Sequence, residues 1–317
     1  MYVAAVVLAA GEGKRLRTAR AKVLHEAGGR ALIDHVLGAV APLQPDRTVV
    51  VVGHLRGQVE RHLVGRPLTL VVQEPPRGTG DAVATALPLL PERGELLVLA
   101  GDVPLITTPS LAALLEARRG SGAAAALLTA VLAEGGAYGR ILRRADGPVQ
   151  AIIEARDASP QQLATREVNA GCYVFDLNLL RLALTALRPA NDQGEYYLTD
   201  VIGLLTGAGH TVAAVPLVDS TECLGVNTRV ELAEVSRLLN SRVLQRLQAE
   251  GVTILDPATT WVEVGCRIGL DTVLEPGVHL RDGCTIGAGC WIGAGSVLEG
   301  VTVPDGARVA PLSFRRG

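Results

Sequence analysis

The sequence predicts an α/β domain with a mostly parallel sheet, followed by one long helix and a short parallel β-helix. Two patterns predict this order. Apolar runs of strand length alternate with segments of helical apolar spacing over roughly the first two thirds of the chain, which is typical of α/β domains. An aliphatic residue then recurs every six residues towards the end of the sequence, and a sustained hexapeptide period is typical of a β-helix.

The alternating region is predicted to contain a sheet flanked by helices. We expect strands over residues 3–9, 48–52, 69–72, 96–100, 123–131 and 171–175. We expect helices between them over residues 31–40, 58–63, 80–87 and 110–119. Ligands of such sheets bind beyond the carboxyl ends of the strands, so the residues that follow each strand are candidate site residues.

The sequence changes character after residue 227. Residues 228–250 carry the apolar stripe of one long helix, with Asn227 or Thr228 at its N-cap and Gly251 after its end. The predicted domains are therefore 1–227, 228–250 and the hexapeptide region 251–317. The aliphatic positions of the hexapeptides are Val262, Ile268, Leu274, Leu280, Ile286, Ile292 and Leu298, and two positions before each stand Thr260, Cys266, Thr272, Val278, Cys284, Cys290 and Ser296.

Composition and charge exclude several classes of protein. The 317 residues are 48% hydrophobic and 20% charged, with a net charge of −2, so neither nucleic acid nor a membrane surface is expected as a partner. The apolar run at the N-terminus is too short to span a bilayer and ends in a glycine turn, and we expect a cytoplasmic protein. The five cysteines form no CxxC pair, and three stand at small-residue positions of the hexapeptides, where we expect packing rather than a disulfide or zinc.

A glycine-rich turn follows the first predicted strand and carries cations. Residues 8–16 read LAAGEGKRL, and the only two lysines of the chain are Lys14 and Lys22. Glycines at positions 11 and 13 allow backbone amides to approach phosphate oxygens, and Arg15 and Lys22 supply positive charge. The turn matches neither the dinucleotide-binding fingerprint nor the P-loop. Taken alone, it is also compatible with an ordinary corner between a strand and a helix.

The turn and the segments after it resemble those of sugar-phosphate nucleotidyltransferases. The resemblance is to the uridyltransferase half of the bacterial bifunctional N-acetylglucosamine-1-phosphate uridyltransferase / glucosamine-1-phosphate acetyltransferases. It begins with residues 8–16 and 21–24, and continues in family order and spacing across residues 3–229. The further matching segments are Gln73, GTG at 78–80, GDVPL at 101–105, YGRI at 138–141, Glu154, Asn169, GEYYLTD at 194–200 and GVN at 225–227.

The resemblance implies a Rossmann-like nucleotidyltransferase domain, a left-handed β-helix, and a homo-oligomer with a trimer favoured. It implies a nucleoside triphosphate and a sugar 1-phosphate as substrates and Mg²⁺ as cofactor. The catalytic residues would be Arg15, Lys22 and Asp102, and the metal ligands Asp102 and Asn227. Substrates would contact Leu8, Ala10, Gly11, Gly13, Gln73, Gly78, Thr79, Gly80, Gly139, Glu154, Asn169 and Asn227, of which Gly139, Glu154 and Asn169 would hold the sugar.

Simpler roles stay open for several of these residues. Asn227 precedes a long helix, where asparagine is an ordinary N-cap. Asp102 stands two residues before Pro104, where aspartate often forms turns. Glu154 is also compatible with an exposed strand position, and Tyr196 and Tyr197 with packing in the core.

The sequence departs from the family at the turn and in the β-helix. Lys14 replaces a small hydroxyl residue, and Ala100 replaces a larger one. The hexapeptides at residues 256–311 amount to about three coils, and the His, Lys and Arg residues of the family's acetyltransferase site have no counterpart. We therefore expect UDP-N-acetylglucosamine synthesis from UTP without acetyl transfer. The alternatives are a transferase for glucose 1-phosphate or dTTP, and a regulatory protein that binds nucleotide-sugars without turnover.

Overall fold

The computed structural model of the chain describes residues 1–191 and 193–317. It divides into two units, one formed by residues 1–25 and 32–228 and the other by residues 26–31 and 229–317. This division differs from the predicted contiguous domains because a short hairpin at residues 26–31 groups with the second unit. Within the described residues, no helix has both the length and the hydropathy that crossing a membrane requires.

The first unit is an α/β domain, and its sequence is interrupted by residues 26–31, which belong to the second unit. Up to residue 228 the strands are β1 (Val3–Ala9), β2 (Glu26–Ala27), β3 (Arg30–Ala31), β4 (Arg47–Val52), β5 (Thr69–Val72), β6 (Glu95–Ala100), β7 (Ala125–Val131), β8 (Arg140–Arg143), β9 (Val149–Ile153), β10 (Glu167–Asp176) and β11 (Val212–Pro216). The helices are α1 (Leu32–Val40), α2 (Arg56–Leu63), α3 (Thr79–Ala86), α4 (Thr108–Ser121), α5 (Pro160–Leu163), α6 (Leu177–Ala186) and α7 (Leu198–Gly207).

The main sheet has the strand order β11-β7-β10-β6-β1-β4-β5. β1 pairs in parallel with β4 and β6, β4 with β5, and β7 with β11. β10 runs antiparallel to both of its neighbours in this order, and β8 and β9 extend from it as an antiparallel pair. The prediction of a mostly parallel sheet is therefore confirmed, with β10 as the reversed strand.

The sheet is buried on both faces, as parallel sheets require. Ala4, Val6 and Val98 contact one cluster that also contains buried residues of α3, α6 and α7. Successive side chains of a strand point to opposite faces, so Ala5 and Val7, which are also fully buried, face the other layer, where α1 and α4 contact each other and the sheet. Continuous apolar strands such as VAAVVLA follow from this double burial.

The predicted elements of the α/β domain are all present, with small shifts at their ends. The strands at residues 3–9 and 69–72 have the predicted bounds, and the predicted 171–175 strand is the second half of the ten-residue β10. The prediction omitted β8, β9, β11, α5, α6 and α7 of this domain.

The second unit consists of the hairpin, the long helix α8 (Arg229–Ala249) and a parallel β-helix. Its strands from residue 253 onwards are β12 (Thr253–Ile254), β13 (Trp261–Val262), β14 (Arg267–Ile268), β15 (Val273–Leu274), β16 (His279–Arg281), β17 (Thr285–Ile286), β18 (Trp291–Ile292), β19 (Val297–Glu299), β20 (Thr302–Val303), β21 (Arg308–Val309) and β22 (Phe314–Arg316). They form three parallel sheets, β12-β15-β18-β21, β13-β16-β19-β22 and β14-β17-β20.

Both predicted columns of the β-helix lie in its core. Every predicted aliphatic and small-residue position is buried, and the thiols of Cys266, Cys284 and Cys290 are free and buried with them. Trp261 pairs with His279, eighteen residues on, whereas Val297 pairs with Phe314, only seventeen residues on. The coil therefore shortens by one residue after Leu298, and strands extend on both sides of the predicted 256–311 range.

Candidate active site

The carboxyl ends of four adjacent strands bring the predicted residues together. Leu8 near the end of β1 pairs with Ala100 of β6 and with Val51 of β4, so the glycine-rich turn lies beside Asp102. Gly101 donates its amide to the carbonyl oxygen of Leu8 at 2.8 Å, and a Cβ at this glycine would lie 2.9 Å from the same oxygen. Glycine is therefore needed for the close approach of these two strand ends.

A cleft of about 700 Å³ opens at this edge of the sheet. Most of the predicted site residues line it, so these segments lie close together in the fold. These residues are Leu8, Ala10, Gly11, Gly13, Arg15, Lys22, Gln73, Gly78, Thr79, Asp102 and Asn227. Gly80, Gly139, Glu154 and Asn169 do not line the cleft.

Lys22 joins the two predicted metal ligands. Its ammonium group forms an ion pair with the Asp102 carboxylate and donates to Asn227 Oδ1 at 2.7 Å. The Lys22 and Asp102 side chains are only 13% and 20% exposed. Backbone geometry supports the arrangement, because Val226 donates its amide to the carbonyl oxygen of Asp102 at 2.9 Å. One oxygen of each predicted ligand thus faces the same cation.

The turn after β1 presents unused hydrogen-bond donors. The backbone amides of residues 11–15 donate to no acceptor in the part of the chain that the structure describes. Gly13 has a φ of 64°, and a Cβ there would lie 2.9 Å from the Cβ of Lys22. A Cβ at Gly11 would meet nothing within 4 Å. Gly13 is therefore required by the protein's own packing, whereas Gly11 leaves open space in the cleft.

The two other cations of the turn differ in their surroundings. Lys14 forms an ion pair with Glu12 at 2.7 Å, and its side chain is 83% exposed. Arg15 is exposed and forms no ion pair within the described residues. Its guanidinium group is therefore available to an anion in the cleft.

Gln73 and the loop after it form the next wall of the cleft. The Gln73 amide nitrogen donates to the Gly78 carbonyl oxygen at 2.9 Å and to Asp81 at 2.8 Å. Gln73 Oε1 accepts no hydrogen bond in the described chain and remains as the free acceptor of this side chain. Gly78 has a φ of 109°. Gly80 is buried, and a Cβ there would lie 2.5 Å from the side chain of Leu187, so its role is packing.

Gly139, Glu154 and Asn169 form a separate group of contacts. The Asn169 amide donates to the Gly139 carbonyl oxygen at 2.9 Å, and a Cβ at Gly139 would lie 3.6 Å from Glu154 Oε1. Asn169 stands at a bulge of β10, where Gly171 has a φ of 73° and donates to Asn169 Oδ1 at 3.1 Å. Bulges commonly redirect side chains beside functional sites. The three residues meet each other away from the cleft lining.

The Glu154 carboxyl group is mostly shielded from solvent, which excludes the exposed strand position. Burial raises its pKa above the ordinary value, and nearby Asp157 and Asp200 raise it further. A hydrogen bond from Thr199 Oγ1 to Glu154 Oε1, at 3.0 Å, opposes this shift, as does the charge of Arg156. Burial also raises the pKa of Tyr173, whose hydroxyl group contacts the Asn169 side chain.

Sequence reasoning missed several residues that line the cleft. Glu12, Arg156 and Glu195 contribute charged groups to it. Arg156 donates to Gln193 at 3.0 Å, which places it beside the segment that carries Glu195. Their sequence surroundings do not distinguish them from ordinary exposed charges, although Arg156 follows a matched residue by two positions and Glu195 lies inside a matched segment.

The donor set at Asp102 and Asn227 fits a hard divalent cation. Mg²⁺ prefers a few protein oxygens and completes its coordination with water and substrate phosphates. A carboxylate and an amide oxygen that both face the Lys22 ammonium meet this description. The described residues contain no group of three or more His, Cys, Asp or Glu side chains that could hold a metal ion.

Comparison with known proteins agrees with the fold. Residues 5–170 match the family model described as a MobA-like NTP transferase domain, and residues 265–300 match the bacterial transferase hexapeptide (six repeats). The chain is 46% identical to the bifunctional protein GlmU of Thermobifida fusca over 291 residues, which are 90% of this chain and 60% of that protein. It is 46% identical to the GlmU of Mycobacterium tuberculosis strain H37Ra over 315 residues, 96% of this chain and 63% of that protein.

A third relative, the bifunctional protein GlmU of Streptomyces coelicolor, is 45% identical over 323 residues, which are 97% of this chain and 67% of that protein. The chain thus spans 60–67% of the length of these relatives. The predicted nucleotidyltransferase domain and hexapeptide region are both confirmed at the level of the family. The chain belongs to the family of the bifunctional protein GlmU, with a MobA-like NTP transferase domain followed by bacterial transferase hexapeptide repeats.

Proposed function

We propose that the chain catalyses Mg²⁺-dependent uridyl transfer from UTP to N-acetylglucosamine 1-phosphate, forming UDP-N-acetylglucosamine and pyrophosphate. The observation that carries the proposal is the convergence of Asp102 and Asn227 oxygens on the Lys22 ammonium, beside a turn with free backbone amides. This arrangement combines a site for a cation with a site for phosphate groups. Membership of a family with an NTP transferase domain supports the same reaction class.

The turn after β1 is suited to bind the triphosphate. Its five backbone amides, at residues 11–15, donate to no acceptor within the described residues and are available to phosphate oxygens. Arg15, which forms no ion pair with any described residue, adds a guanidinium group that can bind phosphate oxygens in bidentate fashion. The open space at Gly11 allows the phosphate chain to approach the backbone closely.

In the reaction, an oxygen of the sugar phosphate attacks the α-phosphorus of UTP, and the bond from that phosphorus to the bridging oxygen breaks in line. A Mg²⁺ ion held by Asp102 and Asn227 supplies charge neutralisation for the phosphate oxygens. Lys22, which contacts both side chains in this structure, supplies an ammonium group beside them that stabilises the negative charge developing on the phosphate oxygens. A phosphate monoester is already largely ionised at neutral pH, so no side chain has to act as a general base.

Base recognition is assigned to Gln73 at the cleft, and sugar recognition to the separate group formed by Gly139, Glu154 and Asn169. Gln73 Oε1 is a free acceptor that suits the N3–H group of uracil. Glu154 and Asn169 provide a carboxylate and an amide for sugar hydroxyl and N-acetyl groups, with Gly139 leaving room beside Glu154. The choice between uracil and thymine, or between N-acetylglucosamine and glucose, depends on few contacts.

The test is a pyrophosphate-release assay of the purified chain. UTP, dTTP, ATP and CTP are each combined with N-acetylglucosamine 1-phosphate or glucose 1-phosphate, with Mg²⁺ or with a chelator. We expect the highest kcat/KM for UTP with N-acetylglucosamine 1-phosphate and no turnover with the chelator. Higher kcat/KM with glucose 1-phosphate or dTTP would replace the substrate assignment, and turnover with the chelator would refute the metal requirement. Binding of UDP-N-acetylglucosamine without turnover of any pair would favour the regulatory alternative.

Three further predictions concern the whole protein. We propose that residues 251–317 transfer no acetyl group by themselves, because the matched hexapeptides are few and lysine is absent from this region. Incubation with acetyl-CoA and glucosamine 1-phosphate tests this, and free coenzyme A above the background would contradict it. A homotrimer, which light scattering tests, and a cytoplasmic location, which cell fractionation tests, also stay predictions.

A further inference from the structure

One segment of the chain contacts both the loop after Gln73 and the Glu154 side chain. This segment is residues 196–199, which lead into α7 and form its first two residues. It contacts residues 77–80 of the loop that follows Gln73. Tyr196 donates its amide to the Arg77 carbonyl oxygen at 2.7 Å, and Gly80 donates to the Tyr196 carbonyl oxygen, also at 2.7 Å. A Cβ at Gly78 would lie 2.6 Å from that same oxygen. The segment and residues 77–80 are therefore packed backbone against backbone.

Two consecutive residues then link residues 77–80 to the carboxylate of Glu154, which is proposed to bind the sugar. The amide of Leu198 donates to Thr79 Oγ1 at 2.9 Å. The next residue, Thr199, donates its hydroxyl group to Glu154 Oε1 at 3.0 Å, and Thr199 is only 4% exposed. Since Leu198 and Thr199 begin α7, displacement of Thr79 changes the first turn of the helix, and with it the donor to Glu154.

The Glu154 carboxylate lies in surroundings that make the hydrogen bond from Thr199 important for its charge and orientation. Thr199 provides the only side-chain hydrogen bond to the Glu154 carboxylate from any residue that the structure describes. Burial and the carboxylates of Asp157 and Asp200 favour the neutral form, whereas Thr199 and Arg156 favour the charged form. A carboxylate in this environment depends on its donor for both orientation and charge.

We propose that Thr199 is a positioning residue that holds the Glu154 carboxylate in place for the sugar. Through the link from Thr199 and Leu198 to Thr79, sugar binding then depends on whether a nucleotide base is bound at residues 77–80. This inference rests on the function proposed above. A base bound at residues 77–80 acts on the first turn of α7 through the hydrogen bond from Leu198 to Thr79, and that turn carries the donor to Glu154. Such coupling is reciprocal, because each ligand must strengthen the binding of the other by the same factor.

The first experiment separates positioning from general structure. Thr199→Val removes the hydroxyl group at nearly constant volume, Thr199→Ser keeps it, and Thr206→Val makes the same change on the same helix. Thr206 is also buried, but its hydroxyl group donates to the Gln150 carbonyl oxygen at 2.5 Å, away from Glu154. Loss of a hydrogen bond to a charged group predicts a KM for N-acetylglucosamine 1-phosphate about tenfold to a hundredfold higher in Thr199→Val.

The kinetic pattern decides the outcome. We expect Thr199→Ser to restore the KM for the sugar phosphate to within about threefold of the unmodified chain. We expect Thr206→Val to leave this KM unchanged and Thr199→Val to change kcat less than KM. Equal KM values in Thr199→Val and the unmodified chain would overturn the positioning role. Circular dichroism of each variant verifies that the fold is kept.

The second experiment measures the coupling itself. Calorimetry gives the Kd of N-acetylglucosamine 1-phosphate with and without a saturating UTP analogue whose α- and β-phosphates are joined by a methylene group. In the unmodified chain we expect the analogue to tighten sugar binding about fivefold or more. We expect the factor to approach one in Thr199→Val and in Thr79→Val, with no additional loss in the double variant.

The results distinguish failure of this inference from failure of the proposed function. A chain that releases pyrophosphate, but whose Thr199→Val variant keeps the full coupling factor, overturns the inference and leaves the proposed function intact. An unmodified chain that binds neither the analogue nor the sugar phosphate refutes the proposed function, and the inference falls with it.

Discussion

Removal of the Lys22 ammonium group should lower catalysis far more than stability. The Lys22→Met substitution keeps the aliphatic stem, which packs beside Gly13, but deletes the cation shared by Asp102 and Asn227. A preorganised positive charge beside the phosphate oxygens stabilises the transition state by about 3–4 kcal/mol, so the kcat of Lys22→Met should be roughly 10²–10³-fold lower than that of the unmodified chain.

The cost in stability follows from the exposure of the pair. Lys22 and Asp102 are mostly but not fully buried, at 13% and 20% exposure. Breaking a fully buried pair costs about 3–5 kcal/mol and an exposed one about 0–1, so we expect an intermediate loss of about 1–2 kcal/mol. For a unit of this size the loss corresponds to a decrease in Tm of roughly 3–6 °C.

The chain offers a matched control for this substitution. Lys14→Met removes the only other lysine, whose ion pair with Glu12 is largely exposed, and it should leave the Tm unchanged. The assays are pyrophosphate release with saturating substrates and differential scanning calorimetry. A kcat of Lys22→Met within about threefold of the unmodified chain would refute the charge argument, whatever the change in Tm.

Two other substitutions test the packing of the second unit and the charge of Glu154. Asn240 of α8 donates to the Thr260 carbonyl oxygen and accepts from the Val262 amide, both at 2.9 Å and buried, so Asn240→Leu should cost about 2–4 kcal/mol of unfolding free energy. Urea unfolding measures this against Gln245→Leu on an exposed position of the same helix, and equal midpoints would contradict it. The raised pKa of Glu154 means that the folded chain retains a proton that the unfolded chain has lost, so unfolding free energy falls as pH rises from the ordinary pKa through the raised one. Glu154→Gln should therefore raise the Tm more at about pH 8 than at about pH 5, and an equal gain at both would show that ionisation of Glu154 is not responsible.

Patterns repeated along the chain predicted most of the fold. The apolar strands and the hexapeptide columns are repeated many times, and each repeat is buried as expected. The direction of β10 leaves no trace in residue periodicity, because parallel and antiparallel strands share the period of two. The short strands β8 and β9 lie off the main strand order, and the arginines at both ends of β8 weaken its apolar pattern.

The site was predictable as a set of residues but not as a set of contacts. The ordered family matches selected Lys22, Asp102 and Asn227, yet Lys22 and Asn227 are 205 positions apart, and only the sheet order brings them together. Arg156 and Glu195 reach the cleft through loop conformation, which composition and spacing do not encode. The link from Thr79 to Glu154 through the start of α7 likewise required the folded backbone.

Binding of a divalent cation tests the central claim most directly. Mn²⁺, as a paramagnetic substitute for Mg²⁺, is titrated into the chain with the methylene analogue of UTP and followed by electron paramagnetic resonance. Asp102→Asn removes one charge from the proposed site, and Asp146→Asn makes the same change in the exposed turn between β8 and β9. We expect Asp102→Asn to weaken Mn²⁺ binding about tenfold or more, since a ligand charge is lost, and Asp146→Asn to leave it unchanged. Equal affinity in both variants would contradict a cation site at Asp102.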